Sequence, residues 1–186
     1  MDAHNMNILL AGFGGQGVLF AGKLIASSAL IDGLEVTWMP SYGPEMRGGT
    51  CNCSVCLSEK PIGSPLVTEP DVLVALNKPS YLKFVDAIKP GGICLIDQSL
   101  IDVCPERSDI QFVAIPATKI SEDNDLQTLA NVILVGQLLK LTGFSTVEVL
   151  EQAIEHSVSA KHTDLIAPNK MALKIGYNAV NQADCK

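Results

Sequence analysis

Apolar residues fall in two alternating patterns along this chain. One is a short run with no polar interruption, the other a longer stretch with helical spacing. Asn7–Ala11 (NILLA), Val72–Leu76 (VLVAL), Ile93–Asp97 (ICLID) and Gln111–Ile115 (QFVAI) are of the first kind. A strand with one wet face alternates apolar and polar side chains, whereas a strand covered on both faces reads as a continuous apolar run. These four are therefore expected to be buried strands, and Glu35–Trp38 and Thr50–Leu57 give two more. The second pattern predicts helices. Gln16–Ile31 carries Val18, Leu19, Ile25 and Leu30 and stops before Gly33. Lys78–Ile88 has Pro79 in its first turn and is ended by Lys89-Pro-Gly-Gly92. Asp125–Leu141 reads as a long apolar helix, Ser145-Thr-Val-Glu148 has capping-box spacing before another, and Pro168–Val180 reads as the last. Met39–Gly49, with two prolines and three glycines, reads as a loop.

Strands alternating with helices predict a three-layer α/β/α sandwich around a mostly parallel, mixed sheet, Rossmann-like, with residues 1–186 forming a single domain. The Met39–Gly49 loop and the strand after it predict one irregular or antiparallel pairing. A hydrophobic fraction of 47% against 18% charged residues excludes a disordered chain. It implies either a sheet buried on both faces or surface covered by other subunits. The net charge of −7 excludes attraction to nucleic acid through the bulk field. No apolar run reaches the length of a membrane span. Met1–Asn7 is polar and the apolar stretch after it is cut at Gly12, unlike a secretory signal, so a cytoplasmic protein is expected.

In that compartment six cysteines do not form a disulfide framework. Cys51, Cys53 and Cys56 invite a metal or cluster reading, but they lie in a predicted strand. Such a strand points the first two to one side and Cys56 to the other, and ligands need to converge. Buried thiols packing as small hydrophobes are the competing expectation.

Gly12-Phe-Gly14-Gly15-Gln16-Gly17 fits G-x-G-x-x-G between a strand and a helix. Three readings are open. It is a dinucleotide-binding turn, a tight-packing turn with no ligand, or a turn whose free amides and helix dipole face an anionic group. The first needs an acid at the end of the second strand to hold the ribose, and that strand runs out in Trp38-Met-Pro40. Ser41-Tyr42-Gly-Pro-Glu45-Met-Arg47-Gly-Gly49 puts a hydroxyl, a phenol, an anion and a cation into one loop. That is either a turn with solvated charges or a binding surface beside the glycine turn. Asn77, just after a buried strand at the same edge, either meets a ligand there or bonds to the glycine turn.

The ordered pair of loops resembles the gamma subunit of 2-oxoacid:ferredoxin oxidoreductases. The likeness continues through Ile62-Gly-Ser-Pro65, Asn77, Lys89-Pro-Gly-Gly92, Asn131 with Gly136, and Asn169-Lys170, and so covers nearly the whole chain. The resemblance implies oxidative cleavage of a 2-oxoacid with coenzyme A (CoA) as co-substrate, the electrons going to ferredoxin or flavodoxin. It implies thiamine diphosphate and iron–sulfur clusters on alpha, beta and delta partner subunits. No cofactor, catalytic residue or metal is then expected on this chain alone. The cysteines do not follow a ferredoxin-type cluster pattern, and no Gly-Asp-Gly thiamine motif is present. The loop continuing into Thr50 is most similar to the 2-oxoglutarate type, since the pyruvate type differs after the arginine. The chemistry of the two loops makes Gly12, Gly14, Gly15, Gln16, Gly17, Ser41, Tyr42, Glu45, Arg47 and Asn77 the expected binding residues. Two alternatives stay open: a stand-alone NAD- or FAD-binding oxidoreductase, and a purely structural assembly subunit. The isolated subunit is expected to be inactive and able to pair with itself as a dimer.

Overall fold

The computed structural model of the chain describes residues 2–42, 50–126 and 128–182. Six strands form one sheet: β1 (Met6–Phe13), β2 (Glu35–Tyr42), β3 (Thr50–Ser58), β4 (Val72–Ala75), β5 (Ile93–Asp97) and β6 (Gln111–Ile115). Their order across the sheet is β2-β3-β1-β4-β5-β6. β1, β4, β5 and β6 are mutually parallel, and β3 runs antiparallel to both β1 and β2. The expected mixed, mostly parallel sheet is therefore present, and its one reversed strand is β3.

The period of two along each strand divides the core into two faces. Ile8 and Leu10, Val72 and Val74, and Ile93 and Leu95 face a layer built from α1 (Val18–Ile31), α4 (Ala130–Thr142), α5 (Val147–Ser157) and α6 (Ile166–Asn178). Leu9 and Ala11, Leu73, Cys94 and Ile96 face the opposite layer. There α2 (Lys78–Phe84) and a single 3-10 turn over Val85–Ala87 contribute Tyr81 and Val85. Among the described residues no helix is long and apolar enough to cross a membrane.

Several expected boundaries move. β2 continues through Met39, Pro40 and Ser41 to Tyr42, because it is an edge strand and only an edge tolerates a residue that cannot donate to the ladder. Gly12 and Phe13 belong to β1, which leaves the turn to residues 14–17. The expected Asp125–Leu141 helix begins only at Ala130. Asp125 and Thr128 have φ of 55° and 71°, a left-handed conformation that breaks a helix. A separate helix, α3 (Ala117–Asp123), precedes them, its apolar signal too weak to show in the sequence. At α5 the cap is Thr146, whose Oγ1 accepts from Val149 N at 3.2 Å, and not Ser145, whose hydroxyl donates to Asp32 Oδ2 at 2.5 Å.

The cysteine expectations divide. Cys51 and Cys53 face the α1 side and Cys56 the α2 side, as strand geometry requires. Cys51, Cys53, Cys56 and Cys94 are free and buried. Cys104, by contrast, is disulfide-bonded. Burial pushes the Cys53 and Cys94 thiols up from an ordinary 9.0 to about 12. The fold thus favours their neutral form. This stabilisation is complete below the unfolded value of 9.0 and is lost as pH rises through that value towards about 12. Thermal melts should fall steeply above pH 9, and iodoacetamide at pH 8 should leave both thiols unmodified in the folded chain, as read by peptide mass mapping.

Candidate functional site

The antiparallel β2–β3 pair sets the site. Phe13 lies opposite Thr50, and Tyr42 lies opposite Cys51. The connection from β2 to β3 therefore leaves the sheet at the edge where β1 ends in the glycine turn. This is the carboxyl edge of β1, β4, β5 and β6, where open α/β sheets bind their ligands. Ser41 is exposed on β2, opposite Asn52, and Tyr42 is the last residue of that strand. Glu45 and Arg47 lie outside the described residues.

The glycine turn is held by side-chain amides. Gln16 Oε1 accepts from Phe13 N at 2.7 Å and from Asn77 Nδ2 at 2.9 Å, and its Nε2 donates to Leu76 O at 2.9 Å. Asn77 Oδ1 accepts from Ser80 N at 2.9 Å and so caps α2. Asn77 is 5% exposed, and its amide serves the turn and the helix together. Gly12 has no room for a side chain, since a Cβ there would sit 2.8 Å from Gln16 Oε1. Gly15 and Gly17 have φ of 101° and 74°, where glycine is favoured. Gly14 and Gly17 are half-buried, while Gly15 is exposed. Asn131, from α4, donates through Nδ2 to Gly17 O at 3.0 Å, the loop-tying role an amide in an apolar helix suggests.

Beside the turn lies a cleft of about 570 Å³, lined by Gly15, Gln16, Leu76, Asp97, Thr118, Glu122 and Thr128 among others. Sequence reasoning missed Asp97, although an acid closing the apolar run ICLID was a visible signal. Asp97 is 1% exposed. Its carboxylate accepts from Ser99 N at 3.0 Å, from Thr118 N at 3.1 Å and from Thr118 Oγ1 at 2.6 Å, which anchors the start of α3. The described lining carries two carboxylates and no lysine or arginine. A pyrophosphate would meet like charge there, and the strand next to β1 on the far side is β3, not the β2 of a dinucleotide fold. Both observations count against a dinucleotide in this cleft. Among the described residues no group of three His, Cys, Asp or Glu side chains is placed to hold a metal ion.

The sequence pattern of the pyruvate ferredoxin/flavodoxin oxidoreductase family matches residues 7–179. The 2-oxoglutarate synthase subunit KorC of Methanocaldococcus jannaschii is 40% identical over 179 residues, 94% of each chain. The ketoisovalerate oxidoreductase subunit VorA of Methanothermobacter marburgensis is 38% identical over 86% of this chain, which corresponds to 34% of that longer protein. Among solved structures, the gamma subunit of a keto/oxoacid ferredoxin oxidoreductase from Geobacter sulfurreducens superposes with a TM-score of 0.79 at 28% identity, covering 92% of this chain and 96% of that one. The 2-oxoglutarate:ferredoxin oxidoreductase of Magnetococcus marinus, solved with 2-oxoglutarate, CoA and succinyl-CoA bound, gives 0.83 at 26% identity over 94% of this chain and 30% of that one. The chain therefore belongs to the pyruvate ferredoxin/flavodoxin oxidoreductase family and is the gamma subunit of a 2-oxoacid:ferredoxin oxidoreductase.

Proposed function

We propose that the complex served by this chain oxidises 2-oxoglutarate with CoA to succinyl-CoA and CO2, passing two electrons to ferredoxin. Alpha, beta and delta partners carry thiamine diphosphate and the iron–sulfur clusters. The gamma subunit lays the carboxyl edge of its sheet against the CoA side of that centre. The observation that carries this reading is the convergence of two loops on one edge, fixed by the Phe13–Thr50 and Tyr42–Cys51 pairs. The turn offers backbone amides at a helix start, and the β2–β3 loop offers Arg47, whose planar fork suits a phosphate. Glu45 supplies a carboxylate to the same loop, and Ser41 and Tyr42 add hydroxyl donors. The 2-oxoglutarate assignment is supported by the relatives named for that substrate and is opposed by those named for ketoisovalerate.

A second reading, assembly without ligand contact, has its own support. Gln16 and Asn77 turn their amides inward. Trp38 and Met39, each 40% exposed on the open β2 edge, offer a partner apolar surface.

Arg47→Ala in the anaerobically purified complex separates the two. Loss of one charge-assisted contact raises KM for CoA about tenfold or more, with kcat at saturating CoA little changed. Unchanged constants would defeat the CoA reading, and failure of the variant to join the complex would favour assembly alone.

A further inference from the structure

We infer that Asn131 is a positioning residue: it acts through Gly17 to set the glycine turn for CoA, an inference that rests on the reading above. α4 packs through Val132, Ile133, Leu134, Val135, Leu138 and Leu139, all buried, and carries a second buried amide, Gln137, that faces α6. Asn131 stands in that apolar row at 4% exposure. Packing alone does not call for an amide at such a position. Its Nδ2 donates to Gly17 O, and its Oδ1 has no partner among the described residues. An apolar side chain there would bury the same surface without desolvating an amide.

Gly17 is the cap of α1, with φ of 74°. Its carbonyl accepts the first helical bond, from Ala21 N at 2.9 Å, as well as the Asn131 bond. A Cβ on Gly17 would lie 2.3 Å from Asn131 Nδ2 and 2.7 Å from Cγ, so the amide occupies the space a side chain would take. The two residues are mutually required. Gln16 fixes the turn from the β4–α2 side, through Leu76 O and Asn77. Asn131 fixes it from the α4 side, which leaves exposed Gly15 between the two clamps with nothing near its Cα that a side chain would meet. A turn clamped in this way presents its amides in one arrangement before the ligand arrives, and small displacements of such groups have large kinetic effects.

The test compares Asn131→Ala and Asn131→Asp with Asn169→Ala in the intact complex. Aspartate keeps the shape of asparagine but loses the Nδ2 donor. Asn169 is a buried amide of α6 whose Nδ2 bonds within its own helix, to Leu165 O at 2.7 Å, and so controls for the loss of a buried amide as such. Both Asn131 variants are expected to assemble and to raise KM for CoA about tenfold, with kcat within about twofold of the parent. Asn169→Ala should leave both constants in place. If KM responds to Arg47→Ala but not to the Asn131 variants, the positioning role is wrong while the CoA reading stands. If neither responds, both fall. An Asn131→Asp complex that fails to assemble, or that changes kcat and KM in step with Asn169→Ala, would show a structural role only and overturn the inference.

Discussion

Gly176→Ala should destabilise the chain more than any other single methyl group discussed. A Cβ on Gly176 falls 1.9 Å from the Ile133 carbonyl oxygen and 2.7 Å from the Ile133 carbonyl carbon. Across the same crossing, a Cβ on Gly136 falls 2.2 Å from Leu173 O and 2.8 Å from Tyr177 N. All four obstacles are backbone, and no rotamer change relieves them. α4 and α6 must move apart, and that loosens Ala172 and Leu173, both fully buried on α6. The Gln137 amide, whose nitrogen donates to Gly176 O at 2.9 Å once the amide is turned to satisfy both of its ends, loses that partner as well. Overpacking of this kind costs on the order of 3 kcal/mol. In a chain of this length that lowers the melting temperature by roughly 6–12 °C. Gly136→Ala should cost a similar amount. The double variant should cost less than the sum, since the first methyl already opens the crossing. Gly63→Ala is the control. A Cβ there meets nothing within 4 Å and φ is not positive, so its melt should stay within about 2 °C of the parent, as read by circular dichroism.

Gln16→Leu should have the second largest effect, and it reaches the site. The change removes the acceptor for Phe13 N and Asn77 Nδ2 and the donor to Leu76 O. Three groups lose partners at once, and each unsatisfied group costs about 1–3 kcal/mol when water cannot replace the bond. Gln16 is only half-buried, so water compensates in part, and a total near 3 kcal/mol is expected. Gln16→Glu keeps both acceptor bonds but sets a carboxylate oxygen against Leu76 O in place of the donor, so it should cost one hydrogen bond plus that repulsion, still less than the loss of all three partners. The order of melting temperatures is then parent, Gln16→Glu, Gln16→Leu. In the complex the same order should hold for CoA affinity, because the turn moves with its clamp. Equal melts for the two variants would mean that the acceptor bonds carry no weight.

Much of the fold was legible because its strands are buried on both faces. VLVAL and ICLID, buried throughout, have few competing conformations, and β5 begins and ends where the sequence places it, as does β6 although it is the other edge strand. Where burial is one-sided the reading slipped. β2 lies at the edge, and Pro40 reads as a strand breaker although the edge accepts it. The stretch 125–129 slipped for a different reason. Its apolar residues continue the helical spacing of α4, but the positive φ at Asp125 and Thr128 is a backbone choice that spacing does not encode. The site was legible as chemistry and not as contacts. G-x-G-x-x-G marks a turn that approaches something closely. In this chain the close neighbours are the Gln16, Asn77 and Asn131 amides, two of them from elements more than sixty residues away in sequence. Asp97 was missed because an acid at a strand end has no motif around it. Of its partners, Ser99 stands only two residues away in the chain, while Thr118 returns to it from α3, beyond β6.

The most direct test of the account is a substrate panel on the complex isolated through this chain. The complex would be purified anaerobically from its native source by a tag on the gamma subunit and assayed for CoA-dependent reduction of a viologen dye with 2-oxoglutarate, pyruvate and 2-oxoisovalerate in turn. The account predicts co-purifying thiamine- and cluster-bearing partners and a kcat/KM for 2-oxoglutarate at least about tenfold above the other two acids. A complex that prefers pyruvate or 2-oxoisovalerate, or that reduces the dye equally well without CoA, would contradict it.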